Sequence, residues 1–158
     1  MADTGIIFAW GGSVSTIPAG YLLCDGTLVS QSQYPSLFNA IGFNFGANPP
    51  QGQFYLPDLR GRFVRGADDG AQRDPDVGSR TDMQNSAIKS PSVGSVQSHA
   101  FQNHNHAYTI FPNSSGDIAS GDYWQAGPAV TALADPAQFQ VSTETRPVNA
   151  SVHFIIAC

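Results

Sequence analysis

The sequence predicts a mainly β chain with one short α-helix, followed by a long polar region of low regularity. Three observations carry this. Helical spacing of apolar residues occurs at one place, around residues 32–41. Elsewhere the apolar residues come in short pieces bounded by Gly, Pro, Asn and Ser, the pattern of short strands and turns. From 83 to 146 the chain is polar, nearly uncharged and poor in large apolar side chains.

Taken in order, Ile6–Trp10 is the first strand candidate, and Gly11-Gly12 breaks it. Gly20–Cys24 is the second, with Asp25-Gly26 as the turn behind it. The helix is expected from Ser32 to Ile41: Ser32 is placed to cap it, Pro35 sits in its first turn, and Gly42 follows its end. Tyr34, Leu37, Phe38 and Ile41 recur at i, i+3, i+4 and i+7, one apolar stripe that must lie on something. Arg62–Val64 and Ala107–Phe111 are further strand candidates. The last is Val148–Ile156, where Val148, Ala150, Val152, Phe154 and Ile156 alternate with Asn149, Ser151, His153 and Ile155. That period of two predicts a half-buried strand closing the fold, with His153 on its other face as a surface or interface residue.

Composition narrows the function classes. Only 12% of the 158 residues are charged, about half the share usual in soluble domains. Seven Lys and Arg stand against twelve Asp and Glu, and the resulting charge of −5 argues against binding a phosphate backbone. The longest apolar runs, Ile6–Trp10 and Phe154–Cys158, fall far short of the ~18 residues that cross a bilayer. Met1-Ala2-Asp3-Thr4 lacks the basic start of a secretory leader, which predicts synthesis in the cytosol. Cys24 and Cys158 make no disulfide framework and are expected to be buried free thiols.

Charge gathers at residues 60–82, which hold Arg60, Arg62, Arg65, Arg73 and Arg80 with Asp68, Asp69, Asp74, Asp76 and Asp82. Residues 67–82 read as a solvated Asp/Gly-rich loop whose acids pair with Arg73 and Arg80, since their spacing is not that of a calcium loop. A stretch as polar as 83–146 can hardly bury enough surface to offset its own ordering entropy. It is either disordered or ordered by packing on other chains.

Two strings stand out as structural motifs. In Pro18-x-Gly20-Tyr21-Leu22-Leu23-Cys24-Asp25-Gly26 the Asp-Gly pair supplies a turn. In Phe54-Tyr55-Leu56-Pro57-Asp58-Leu59-Arg60-Gly61-Arg62-Phe63-Val64-Arg65-Gly66, Pro57-Asp58 opens another, and Gly61 and Gly66 permit unusual backbone or close approach. Asp58 can accept a bidentate pair from Arg60, Arg62 or Arg65, stapling a fold that lacks a large core. Asp25 and Asp58 as a catalytic acid–base pair is the competing reading, and turn chemistry explains both residues without it.

These strings, with Ser32-Gln33-Tyr34-Pro35-Ser36-Leu37-Phe38-Asn39-Ala40-Ile41-Gly42 between them, resemble the phage tail collar domain. The resemblance covers roughly residues 5–66. Thr145-Arg146-Pro147-Val148-Asn149 and the apolar stretch after it are similar to the closing segment of the same proteins. The family occurs in short tail fibres of T-even phages and in fibre-like proteins of contractile particles. The resemblance implies an α+β collar module over 1–66, a polar insert over 67–143 intertwined as a trimeric fibre tip, and a closing strand over 144–158.

Within the insert, Asn103-His104-Asn105-His106 places two imidazoles on one face of an extended chain. Two nitrogens are a poor metal site alone, but three chains on a three-fold axis would supply six, an octahedral shell. The resemblance points the same way, because T-even fibre tips are trimers whose His-x-His pairs hold zinc or iron on the axis. His104 and His106 are the matching positions. Two alternatives stay open: His99, His104 and His106 as a single-chain hydrolytic site with a bound water, or exposed histidines that bind nothing. Tyr108, Phe111, Tyr123 and Trp124 stand among amides, a combination that suits carbohydrate recognition or a small inter-chain core.

The expected function is thus a non-enzymatic tail-fibre subunit of a phage or phage-like particle. It would be a metal-pinned homotrimer attached to tail or baseplate proteins and touching a bacterial surface glycan, without nucleic-acid or membrane partners. A metal-dependent hydrolase of envelope polymer and a metal-free baseplate adaptor are the alternatives. The sequence holds no Gly-x-Ser-x-Gly elbow and no phosphate-cradling glycine loop.

Overall fold

The computed structural model describes residues 3–100 and 147–158. The expected strand at Ala107–Phe111, the His104/His106 pair and the aromatics Tyr108, Tyr123 and Trp124 lie outside the described residues. The chain divides into two compact units, one of Met1–Ser98 with Val148–Cys158 and one of His99–Pro147. Residues 67–98 fall in the first of these units.

The first unit is mainly strands with one short helix, and its sheets do not close into a barrel. Strands β1 (Ile7–Trp10), β2 (Tyr21–Leu23), β3 (Leu28–Ser30) and β4 (Gln53–Tyr55) precede β5 (Thr81–Asp82), β6 (Ser95–Val96) and β7 (His153–Ala157). Helix α1 (Pro35–Ile41) lies between β3 and β4. Three antiparallel arrangements result: β1-β7-β2, β3-β4 and β5-β6.

β7 enters from far along the chain and sits between β1 and β2, with Ile156 opposite both Ile7 and Leu22. A central strand has neighbours on both sides and can be covered on both faces. Ile155, Ile156 and Ala157 are accordingly buried in succession, at 4%, 0% and 3% exposure. The expected alternation from Val148 does not hold, because Val148 and Val152 are exposed. β1 ends at Trp10, paired to His153, and then turns away at Gly11-Gly12. Among the described residues, 147–152 belong to no strand.

Register assigns the two faces. Ile7, Leu22, Phe154 and Ile156 point to the core, where Cys24, Leu37, Ile41, Phe45, Phe54 and Leu56 complete a buried cluster. Phe8 and Tyr21 lie on the other face and meet edge to face, with centroids 6.0 Å apart. Helix α1 lays its predicted stripe on the core: Leu37 and Ile41 are buried, and Tyr34 and Phe38 pack against the cluster. Phe38 stacks at a tilt on Phe54, centroids 5.3 Å apart. Burying a ring the size of Phe54 contributes roughly 2–3 kcal/mol, so one aromatic in a core this small matters.

The helix begins three residues later than expected. Tyr34 is its N-cap and makes no side-chain cap bond, while the Ser32 hydroxyl exchanges a 2.8 Å hydrogen bond with Ser30 instead. Pro35 fixes the first helical residue and disfavours helical backbone immediately before it, so the start cannot lie upstream. Gly42 ends the helix with φ +51°, a conformation that costs other residues, and its N–H donates to the Phe38 carbonyl.

Arg62–Val64 is not a strand. Leu59 turns the chain by accepting from the Arg62 N–H, and no neighbouring strand follows, which leaves Phe63 and Val64 67% and 62% exposed. Residues 67–82 are better ordered than a solvated loop. Val77–Ser79 forms a 3-10 turn and Thr81–Asp82 pairs with Ser95–Val96. Asp74 and Asp82 are buried.

Candidate functional site

The Cys24-Asp25-Gly26 turn and the Pro57–Arg62 turn meet side by side. Asp25 and Asp58 form an antiparallel bridge, the Gly26 N–H donates to the Pro57 carbonyl (3.0 Å), and the Leu59 N–H donates to the Cys24 carbonyl (3.1 Å). The Cys24 N–H in turn donates to the Phe154 carbonyl (2.9 Å), which ties both turns to β7. Gly26 has φ +79°, and a Cβ there would press on Asp58 at 3.1 Å. Only glycine suits that combination of backbone and space. Gly61 also turns with positive φ, whereas Gly66 stands in open space with no close approach to explain it.

Both carboxylates are engaged in holding the turns. Asp25 accepts from the Thr27 N–H and hydroxyl at 3.0 and 2.6 Å. Asp58 accepts a bidentate pair from Arg60, Nε and Nη2 each at 2.8 Å. Of the three arginines the sequence offered, Arg60 is the staple. Its guanidinium holds the Asp58 carboxyl below the usual carboxylate range. The Asp58 N–H points at the Met83 sulfur (3.1 Å). Asp58, held ionised by Arg60, lacks the raised affinity for a proton that general acid–base work requires, and Asp25 is engaged with Thr27 in its own turn. Burial pushes the Cys24 thiol up to about 12, with the Asp25 charge adding to it, so it is an inert core group. Cys158, expected to be buried, is exposed.

A second polar cluster lies in the segment read as a solvated loop. Asp74 pairs with Arg80 (3.3 Å) and Arg65 (3.7 Å). Arg80 also donates to the Ser95 hydroxyl (2.8 Å), the Ser95 carbonyl (2.9 Å) and Gln97 (2.7 Å), so one guanidinium clamps β5 to β6. Asp82 accepts from the backbone N–H groups of Ala47, Gln84 and Asn85, all at 2.9 Å. Asp68 accepts from those of Gln72, Arg73 and Asp74. Arg73, an expected partner of these acids, forms no ion pair among the described residues. Asp82 bonding its own chain two and three residues on is ordinary turn chemistry, the one signal in the sequence that could have marked it as structural.

Of the candidate metal ligands, His99 is exposed, and His104 and His106 lie outside the described residues. His153 is exposed opposite Trp10, as its place on the strand suggested. Among the described residues no three His, Cys, Asp or Glu side chains gather as a metal would need, and no helix is long and apolar enough to cross a membrane.

Two turns locked face to face, a seven-residue helix on a small core and a late strand between two early ones make a scaffold rather than a pocket. Residues 5–64 match the family model of the Phage Tail Collar Domain. These residues are similar to a phage tail collar domain. The stapled Asp25–Gly26 and Pro57–Arg62 turns fall inside the matched residues, and the Arg80 clamp lies beyond them. The chain is 33% identical over 144 residues to Protein RhiB of Rhizobium leguminosarum bv. viciae, covering 87% of this chain and 63% of RhiB. It is 36% identical over 92 residues to the uncharacterized protein StfE of Escherichia coli (strain K12), covering 58% of this chain and 38% of that protein. The chain thus spans less than two thirds of either relative, and the likeness to RhiB runs well past the collar domain.

Proposed function

We propose that the chain is a structural and adhesive subunit of a tail fibre, in a phage or a phage-like contractile particle, with no catalytic step. The collar domain at residues 5–64 is the observation that carries this. Its two most distinctive turns are consumed in holding the fold, which suits a connecting module. In the proposal the chain assembles as a homotrimer on tail or baseplate proteins. His104 and His106 of three copies would hold one zinc or iron ion on the axis, and Tyr108, Tyr123 and Trp124 would meet a bacterial surface glycan.

A metal so held would act structurally. Ligation would supply the folding free energy that the polar region lacks, and would couple it to assembly, because the site exists only when three chains are together. Low surface charge fits contact with a charged envelope without non-specific attraction.

Metal analysis of the full purified chain beside His104→Ala tests this. The expected result is one tightly held ion per three chains, lost together with assembly in the variant. One ion per chain, with assembly unchanged in the variant, would support the hydrolytic alternative through His99, His104 and His106 and overturn the proposal.

A further inference from the structure

Two surface patches of the first unit carry opposite charge, and among the described residues no strand pairs with either. The first is the segment Arg62-Phe63-Val64-Arg65, which forms no helix or strand. Phe63 and Val64 are among the most exposed large apolar residues described, at 67% and 62%. Among the described residues the backbone N–H groups of 63–70 donate no backbone hydrogen bond. Of the nearby arginines, Arg60 is paired with Asp58 and Arg65 with Asp74, which leaves Arg62 as the cation the segment offers. A stretch whose backbone N–H groups find no backbone partner among the described residues, with an exposed aromatic and an exposed β-branched side chain, is open to another surface.

The second patch is a groove lined by Asp68, Asp69 and Asp74 together with Pro75, Val77 and Val93. It has no Lys or Arg among its lining residues, and Val93 is 51% exposed. Asp74 is paired within the chain to Arg80 and Arg65, and Asp68 is filled by three backbone N–H groups. Asp69 is therefore the acid that remains exposed at the groove.

A three-fold ring cannot be closed by one self-complementary patch. Each copy must offer two different surfaces that fit each other, and the chain of contacts must return to its start. An apolar edge bearing Arg62 and an apolar groove bearing Asp69 meet that need, and this one pair of opposite charges sets the register. We propose that Phe63 and Val64 of one copy dock into the Asp69-bearing groove of the next, with Arg62 facing Asp69, as a contact of the homotrimer. The inference deepens the proposed function and rests on its trimer. Arg65, already 3.7 Å from Asp74 of its own chain, shows that this acid-lined surface accepts a guanidinium.

Sedimentation of the full chain over a concentration series tests it, comparing wild type, Phe63→Ser, Asp69→Arg, Arg62→Asp and the double variant Arg62→Asp/Asp69→Arg. Phe63 is outside the core, so far-UV circular dichroism and melting temperature should be unchanged in Phe63→Ser. The expected result is a trimer dissociation midpoint raised tenfold or more by Phe63→Ser, since loss of a desolvated anchor costs upward of a factor of ten. Each single charge reversal should raise it and the double variant should restore it in part. A trimeric wild type with an unchanged Phe63→Ser midpoint overturns this inference and leaves the trimer standing. No rescue in the double variant removes the Arg62–Asp69 pairing. A monomeric wild type instead overturns the trimer itself.

Discussion

Cys24 and Cys158 show how position decides chemistry at the scale of one residue. Cys24 is 2% exposed and its thiol is pushed from 9.0 to about 12, while Cys158 is at the surface. A neutral thiol is a poor nucleophile. Thiol labelling of the folded protein should modify Cys158 quickly and Cys24 only after denaturant is added. Between pH 9 and 12 the folded state keeps the Cys24 proton that the unfolded state loses, so the folded state binds more protons and stability falls as pH rises. Asp58 has the opposite sign. Arg60 holds its carboxyl below the usual range, so the unfolded state binds more protons there. Stability from this pair is present above the ordinary carboxylate value and is lost as pH falls through the depressed one. Melting curves of Asp58→Asn should lack that part of the acid loss. The effect will be small and salt-sensitive, because the Arg60 side chain is 66% exposed. An acid slope identical to wild type would show that Asp58 takes no part.

Among the elements, the helix was readable because Tyr34, Leu37, Phe38 and Ile41 carry a local signal that packing then uses. Its start was misplaced because Ser32 has the chemistry of a cap, but Pro35 decides where the helix can begin. The strand expected at Arg62–Val64 failed for a reason no local window contains: a strand exists only where another strand pairs with it. β7 made the same point in reverse. Its alternation was visible, yet its burial was set by β1 and β2 lying on either side, and by β1 ending at Trp10. Ile156→Ala should therefore cost about 2–5 kcal/mol, while Val148→Ala, at an exposed position, should stay within about 0.5 kcal/mol. Denaturant titration separates the two. Equal costs would mean that the register of β7 is wrong.

For the whole molecule, the turns at Asp25-Gly26 and Pro57-Asp58 were legible from turn chemistry, and their specific order pointed to the collar domain. Their mutual contact was not legible, since it joins residues 33 positions apart (Asp25 to Asp58) through backbone hydrogen bonds that any side chains could make. Asp74, Asp82 and Arg80 were misread as solvent-facing because composition registers charge but not the backbone donors that accompany it. The C-terminal segment returns between the first two strands, so one end of the chain completes what the other begins. That closure leaves a small scaffold with two unlike exposed surfaces, which the proposal assigns to assembly. Native mass measurement of the intact chain, with and without chelator, tests this most directly. The account predicts about 50 kDa, three copies of the 16.7 kDa chain, plus one metal ion, with the mass falling toward a single copy once the ion is stripped. A lone 16.7 kDa species in saturating zinc or iron would contradict it.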